Sequence, residues 1–386
     1  MKRILFVLAL LSYFSGSFAQ FQVGHRTITF QDPARSNRNI ETEVYYPGTT
    51  AGDNAALANG QFPIVVYGHG FLMGVSAYEN VWTVLVPMGY IVALPKTESG
   101  TPDHLEFGRD LAFLINQLKS EGTNSSSPFY QKVSATSAIM GHSMGGGAAF
   151  LACENNSVPN VMVTFAAANT NPSSIHAATN VSIPAMVIAG EMDCVAPPDE
   201  HQTPMFDSLS SPCKTFISIK NGGHCNFADY NFICTTGEES CHPGGVPLSR
   251  AEQQLTAMNF VMPYLDYFLK GNNASWNNFL DSLNNSTKVT RIHSCTINPS
   301  AINTNECSLP AMTLFPNPAS GQLNISFAED KEVRIEITGI TGNKLFSSCH
   351  KGRQVCIDIS HFCQGIYWVT MIGENGQKVT QKFIKM

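Results

Sequence analysis

Gly141-His142-Ser143-Met144-Gly145 sets a serine between two glycines, after the apolar residues 137–140 and before a run of small residues that reaches Cys153. A strand, a sharp turn and a helix in that order hold a serine in strained backbone, leaving its hydroxyl exposed beside the amides of the helix N-terminus. A serine hydroxyl is hardly ionised near neutral pH, so attack on a carbonyl carbon requires an imidazole to take its proton and a carboxylate to orient that imidazole. When the serine follows a strand of a parallel sheet, the acid and then the histidine come later, each on a loop at the carboxyl end of a strand. Gly190-Glu191-Met192-Asp193 follows an apolar run ending at Ala189 and offers Asp193, with Glu191 as second choice and Asp199 as the cap of the next helix. Asn221-Gly222-Gly223-His224 follows the run ending at Ile219 and offers His224, whereas His201 falls on the next helix and His242 in a loop rich in Cys, Pro and Gly. The negative charge that attack places on the carbonyl oxygen needs two donors. The Met144 amide is one, and the Phe71 amide in Gly68-His69-Gly70-Phe71 is the other, its ring facing the substrate.

Those loops need a sheet to hold them. Strands are expected over 63–67, 90–94, 137–140, 161–165, 184–189 and 215–219, alternating with helical patterns, which is the signature of a mostly parallel sheet wrapped by helices, an α/β fold. Between the second and third, Leu105, Leu111, Leu114, Ile115 and Leu118 recur at helical spacing behind an Asp103 cap. Residues 26–30 and 41–46 alternate as an antiparallel entry to the same sheet would. A last helix opens at Ser249 and Glu252, with capping-box spacing, and turns Leu255, Met258, Val261 and Leu265 inward. Residues 296–310 read as a linker. Beyond it, strands over 322–327, 333–338, 355–359, 366–372 and 379–384 predict a small all-β sandwich.

The 386 residues have room for two domains, and the expected boundaries are a leader 1–19, a catalytic domain 20–295, the linker 296–310 and a β domain 311–386. Lys2 and Arg3, a short apolar run and Ser17-Phe18-Ala19 read as an export signal cleaved after Ala19. No later apolar run is long enough to span a bilayer, so no integral membrane segment is expected in the mature chain. Only 13% of the residues are charged and the formal charge is -6 with no basic stripe, which argues against nucleic acid as a partner. Eleven cysteines in an exported chain predict disulfides with at least one thiol left over, for which Cys153 on a buried helix is the candidate. The absence of a CxxC pair and the irregular spacing of Cys225, Cys234 and Cys241 argue against zinc, and neither metal nor cofactor is expected. Cys194 and Cys225 directly follow Asp193 and His224, so a bond between them is expected, with Cys234–Cys241 and Cys295–Cys307 from proximity.

With these residues in place the chain resembles an α/β-hydrolase of the dienelactone-hydrolase-like group, and within it the secreted, cutinase-like polyester hydrolases, including those acting on polyethylene terephthalate. The resemblance rests on VYYPG, PIVVYGHGF, GHSMGGG, GEMDCVAP and IKNGGHCNF, in order over about residues 38–270. Serine at 143 favours the esterase branch over the dienelactone hydrolases. Where the polyester hydrolases carry a tryptophan that clamps an aromatic ring, this chain has Phe165-Ala166-Ala167-Ala168-Asn169, and residues 226–247 form a longer loop, either a cover over the site or a disulfide-tied surface loop. The tail, 312–386, is similar to the type A sorting domain read by the type IX secretion system of Bacteroidetes, through Leu314-Phe315-Pro316-Asn317-Pro318, Gly365-Ile366-Tyr367 and Lys382-Phe383-Ile384-Lys385.

The resemblance implies a secreted or cell-surface serine esterase acting on short-chain or polyester substrates, exported across the outer membrane through the type IX machinery. Two other readings use the same residues: a serine peptidase, and a surface-binding protein without catalysis. A carbohydrate-binding or adhesive sandwich is the alternative for the tail.

Overall fold

Runs such as PIVVY are apolar at every position because both faces of the strand are covered, and the computed structural model shows that arrangement. It describes residues 21–296, 312–339, 344–373 and 378–386; the expected leader 1–19 and residues 297–310 of the expected linker lie outside them. The chain divides into two compact units between residues 299 and 300.

In the first unit β1 (Gln22–Asp32), β2 (Arg38–Gly48) and β3 (Gly52–Asp53) precede β4 (Phe62–Gly68), α1 (Glu79–Leu85), β5 (Ile91–Pro95), α2 (His104–Glu121), β6 (Val133–His142) and α3 (Met144–Cys153). There follow β7 (Val161–Phe165), α4 (Ser174–Ala178), β8 (Ala185–Gly190), α5 (Gln202–Ser208), β9 (Cys213–Ile219), α6 (Phe232–Cys241), α7 (Arg250–Lys270), α8 (Asn273–Asn285) and β10 (Val289–Cys295). They form a ten-stranded sheet in the order β10-β9-β8-β7-β6-β4-β5-β2-β1-β3. The strands from β5 through β9 in that order are parallel, and β2, β1 and β10 add antiparallel edges. In β4, Ile64 and Val66 enter one apolar layer with α2 to α5, while Val65 and Tyr67 enter the other with α1, α7 and α8. That alternation, imposed by the two-residue period of a strand, is why the sequence reads as a continuous apolar run.

The chain passes from β4 to β5 on one side and then returns to β6 on the other, so the carboxyl ends of β4 and β6 flank a topological switch point, where connecting loops diverge and leave a crevice. The register pairs Gly68 with Gly141, which brings the loop after β4 and the turn at Ser143 to one level.

The Asp103 cap forms, its carboxylate accepting from the Leu105 and Glu106 amides, and Ser249 caps α7 as its spacing to Glu252 predicts. Leu255, expected inside, is 60% exposed. The buried face of α7 runs through Ala257, Val261 and Tyr264, and Leu255 lies about 200° around the helix from Ala257 at 100° per residue. Helix α8 was not anticipated from the Asn- and Ser-rich sequence, yet Asn272 caps it and Trp276, Phe279 and Leu283 bury one face. Asp199 is exposed and caps nothing, because α5 starts only after His201.

Among the described residues the disulfides are Cys194–Cys241, Cys213–Cys295 and Cys225–Cys234; Cys307 lies outside them, but its expected partner Cys295 is bonded to Cys213, so all three expected pairings are corrected. The unanticipated elements explain the difference. Strand β10 pairs antiparallel with β9 and sets Cys295 directly opposite Cys213, while α6 carries Cys234 toward the loop after β9 and Cys241 toward the loop after β8. Cys153 is a free, fully buried thiol on α3, a helix that is apolar on every side, and burial raises its pKa.

The second unit is an all-antiparallel sheet of β11 (Met312–Phe315), β12 (Gln322–Gly339), β13 (Lys344–Asp358), β14 (Gly365–Gly373) and β15 (Lys378–Lys385). The two strands expected over 322–338 are one long strand with a register shift between Ser326 and Lys331. Leu323 and Ile325 before the shift and Ile335 and Ile337 after it bury into the same core as Val369 and Phe383.

Candidate active site

Ser143 occupies φ 55 and ψ -121, a conformation that costs a non-glycine residue about 1–3 kcal/mol and persists only where the surroundings enforce it. Its own backbone is clamped on both sides: the Ser143 amide donates to the Phe165 carbonyl, and the Ser143 carbonyl accepts from Gly147 and Ala168. The glycines around it are required by close approach. A Cβ on Gly141 would lie 2.3 Å from the Gly145 carbonyl oxygen, and one on Gly145 would lie 2.1 Å from that of Gly68. The elbow is thereby packed directly onto the end of β4.

The three side chains expected to act together do meet. His224 Nε2 lies 2.9 Å from Ser143 Oγ, and His224 Nδ1 lies 2.7 Å from Asp193 Oδ2. Asp193 Oδ1 accepts from the Val195 and Ala196 amides at 2.9 and 2.8 Å, which aims Oδ2 at the imidazole. Asp193 and His224 are buried, while Ser143 is partly open to solvent. Glu191, the second choice for the acid, is exposed and instead accepts from the Asn221 amide. His201 accepts from the Asn169 amide, and His242 ends α6. Met144 opens α3, so its amide belongs to the helix turn whose N–H groups have no intrahelical partner. Among the described residues neither the Met144 nor the Phe71 amide donates to another protein group. Phe71 is 51% exposed on the loop after β4.

Sequence reasoning did not find the residues that support this arrangement from behind. His142 is fully buried, with Nε2 3.0 Å from the His224 carbonyl and Nδ1 3.0 Å from the Tyr78 hydroxyl, which in turn accepts from the Gly70 amide. A carbonyl can only accept, so His142 donates through Nε2, and in the neutral tautomer its Nδ1 is an acceptor facing the Tyr78 hydroxyl. Burial, together with the nearby His224, holds its pKa well below the usual imidazole value, in agreement with that assignment. The chain of bonds runs from Gly70 in the loop after β4 through Tyr78 and His142 of the elbow to His224 in the loop after β9. Gln253 on α7, also fully buried, accepts from the Gly223 amide and donates to the Gly223 carbonyl. The only sequence signal for these residues is the histidine inside the GxSxG motif, and its partners are remote in the chain. Residues 226–247 contain α6, which Cys194–Cys241 and Cys225–Cys234 fasten to the residues that follow Asp193 and His224. Among the described residues no group of three His, Cys, Asp or Glu is placed to hold a metal ion.

Comparison with known proteins agrees with this architecture. The secretion system C-terminal sorting domain family matches residues 313–386. The chain is 26% identical over 182 residues to a bis(hydroxyethyl) terephthalate hydrolase of Streptomyces coelicolor, across 47% of this chain and 54% of that protein. It is 27% identical over 104 residues to cutinase est1 of Thermobifida alba, across 26% of this chain and 34% of that protein. The chain thus spans about half the length of the first relative and a third of the second. The PET hydrolase-like family matches residues 16–238, more than half of the chain, and the chain belongs to that family.

Proposed function

We propose that the protein is a secreted serine carboxylic ester hydrolase in which Ser143 is the nucleophile, His224 the general base and acid, and Asp193 the residue that orients the imidazole. The observation that carries this reading is the continuous line from Asp193 Oδ2 through His224 to Ser143 Oγ, with bonds of 2.7 and 2.9 Å, on an elbow held at positive φ. Asp193 accepts a hydrogen bond from Nδ1–H, which leaves Nε2 as the acceptor for the serine proton. Ser143 Oγ attacks the ester carbonyl as its proton passes to His224, and the Met144 and Phe71 amides receive the developing oxyanion. Collapse of the tetrahedral intermediate breaks the acyl carbon–oxygen bond, and the imidazolium protonates the departing alcohol. Water, deprotonated by His224, then attacks the acyl-enzyme and releases the acid.

The names of the relatives favour esters of terephthalate or of cutin-like polymers as the substrate class. In the loop after β7, Ala166, Ala167 and Ala168 supply no wide aromatic clamp, so short-chain and aliphatic polyesters fit the local chemistry better than an aromatic polymer. The tail's likeness to a secretion sorting domain supports export through a type IX machinery, with the enzyme released or held at the cell surface. No helix among the described residues is long and apolar enough to cross a membrane.

Ser143→Ala tests the reading. The variant should keep its circular dichroism spectrum and melting temperature while turnover of p-nitrophenyl butyrate falls by about 10⁴-fold or more. Turnover within tenfold of wild type would place the chemistry elsewhere.

A further inference from the structure

One buried carboxylate stands behind the base and has no part in the reaction as described. Glu238 on α6 is 5% exposed, and its Oε1 accepts from the peptide amide of His224 at 2.5 Å and, more weakly, from that of Cys225 at 3.4 Å. The loop is shaped to admit it: a Cβ on Gly223 would lie 2.2 Å from Glu238 Oε1, so the residue before the histidine must be glycine for the carboxylate to reach the backbone. Helix α6 is itself fastened at both ends. Cys225–Cys234 ties its first turn to the residue after His224, and Cys194–Cys241 ties its last residue to the one after Asp193. A buried carboxylate is costly unless it is hydrogen-bonded and opposed by charge. The guanidinium of Arg250 attracts it, and Arg250 also donates to the Cys225 and Ala228 carbonyls.

We propose that Glu238 is a positioning residue for the base: by gripping the His224 amide from an insertion helix that disulfides join to both the acid and base loops, it fixes the imidazole between Asp193 and Ser143. The proposal rests on the triad reading and deepens it. The His224 backbone is held on both sides of its Cα, its N–H by Glu238 and its C=O by His142, so the ring has little freedom other than rotation about its own side-chain bonds. Asp193 then fixes that rotation. The insertion therefore contributes an acceptor that acts through the base, in place of a contact to substrate. A displacement of about 1 Å at a reacting group can lower the rate by about 100-fold, which sets the scale of the effect.

The test compares Glu238→Ala and Glu238→Gln in the full chain, with p-nitrophenyl butyrate as the probe. Glutamine keeps an Oε1 that accepts from both amides; alanine removes it. Glu238→Ala should lower kcat by about 10- to 100-fold with KM within about twofold of wild type, and Glu238→Gln should recover kcat to within about threefold. Wild-type kcat in Glu238→Ala, a loss confined to KM, or equal loss in both variants would overturn the proposal. If Glu238→Ala does not fold, the double variant Cys194→Ala/Cys241→Ala carries the test, since it frees the last turn of α6: a kcat reduced about tenfold at an unchanged circular dichroism spectrum supports the proposal, and wild-type kcat overturns it. Ser143→Ala separates the two readings. An inactive Ser143→Ala beside a fully active Glu238→Ala defeats this proposal alone, whereas an active Ser143→Ala defeats the triad reading itself.

Discussion

Replacing Gly145 by alanine tests whether the contact between the elbow and the oxyanion loop sets the rate. A Cβ there would lie 2.1 Å from the Gly68 carbonyl oxygen and 2.7 Å from that of His69, and both obstacles are backbone. Ordinary contact begins at 3.4 Å, so α3 and the end of β4 must part by about 1.3 Å. Neither can yield by rotating a side chain. The Gly70-Phe71 amides follow Gly68 directly on that strand end, so the displacement reaches the proposed oxyanion donor. Misplacing a donor by about 1 Å, or losing it, lowers the rate by about 100- to 1000-fold. Overpacking at a buried site costs about 1–3 kcal/mol in stability besides. The assay is kcat/KM on p-nitrophenyl butyrate, with a thermal melt on the same preparation. Gly237→Ala is the control, because Gly237 is exposed on α6 and a Cβ there meets nothing within 4 Å. It should leave the rate unchanged and stabilise by about 0.5–1 kcal/mol. A Gly145→Ala variant with wild-type kcat/KM and an unchanged melting temperature would refute the reasoning.

Asp110 on α2 is fully buried; it forms ion pairs with Arg35 at 2.6 Å and Arg38 at 2.9 Å and accepts from the Thr97 hydroxyl at 2.6 Å. Asp110→Ala removes the carboxylate between two guanidinium groups; since both are partly exposed and Arg35 keeps Asp32 and Glu106 while Arg38 keeps Glu98, the loss should fall below that of a fully broken buried pair, at about 2 kcal/mol, and a urea midpoint equal to wild type would contradict it. The neutral state of His142 predicts the direction of the acid limb of stability. Its folded pKa lies below the unfolded value of about 6.5, so below that pH the unfolded chain binds a proton that the native state does not. Stability contributed by this group is complete above about pH 6.5 and declines as pH falls, by at most about 1.4 kcal/mol per unit. Urea midpoints at pH 7.5 and 5.5, above the range in which most carboxylates titrate, should show a lower value at pH 5.5, and equal midpoints would count against a buried neutral imidazole.

Much of the site was legible because strand ends and turns are local features. Ser143, Asp193 and His224 each follow an apolar run and lie among glycines or a proline-containing turn, and an α/β sheet orders such loops along one edge. The supporting residues left no comparable mark. Glu238 lies in a segment with no counterpart in the resemblance, Gln253 sits one residue past a capping box, and Tyr78 belongs to a loop with no motif. Their roles depend on which groups face them: the His224 and Gly223 amides for Glu238 and Gln253, 14 and 30 positions away, and the His142 imidazole for Tyr78, 64 positions away.

Sequence alone therefore determined the parallel sheet, the elbow and the order of the three side chains proposed to react, because apolar periodicity, glycine steric limits and strand-to-loop alternation all act over a few residues. It also determined that Cys153 would be a buried thiol, since it closes an apolar helix. Only the tertiary structure decided the disulfides, since Cys213–Cys295 required the pairing of β9 with a strand 82 residues later in that bond's separation, and the other two required a helix inside residues 226–247. It likewise decided that Leu255 faces outward, because the direction of α7's buried face is set by what packs on it and not by the one leucine. What holds His224 in place is a property of the same kind: two backbone groups of one residue, gripped by side chains that meet only once the sheet has closed around them.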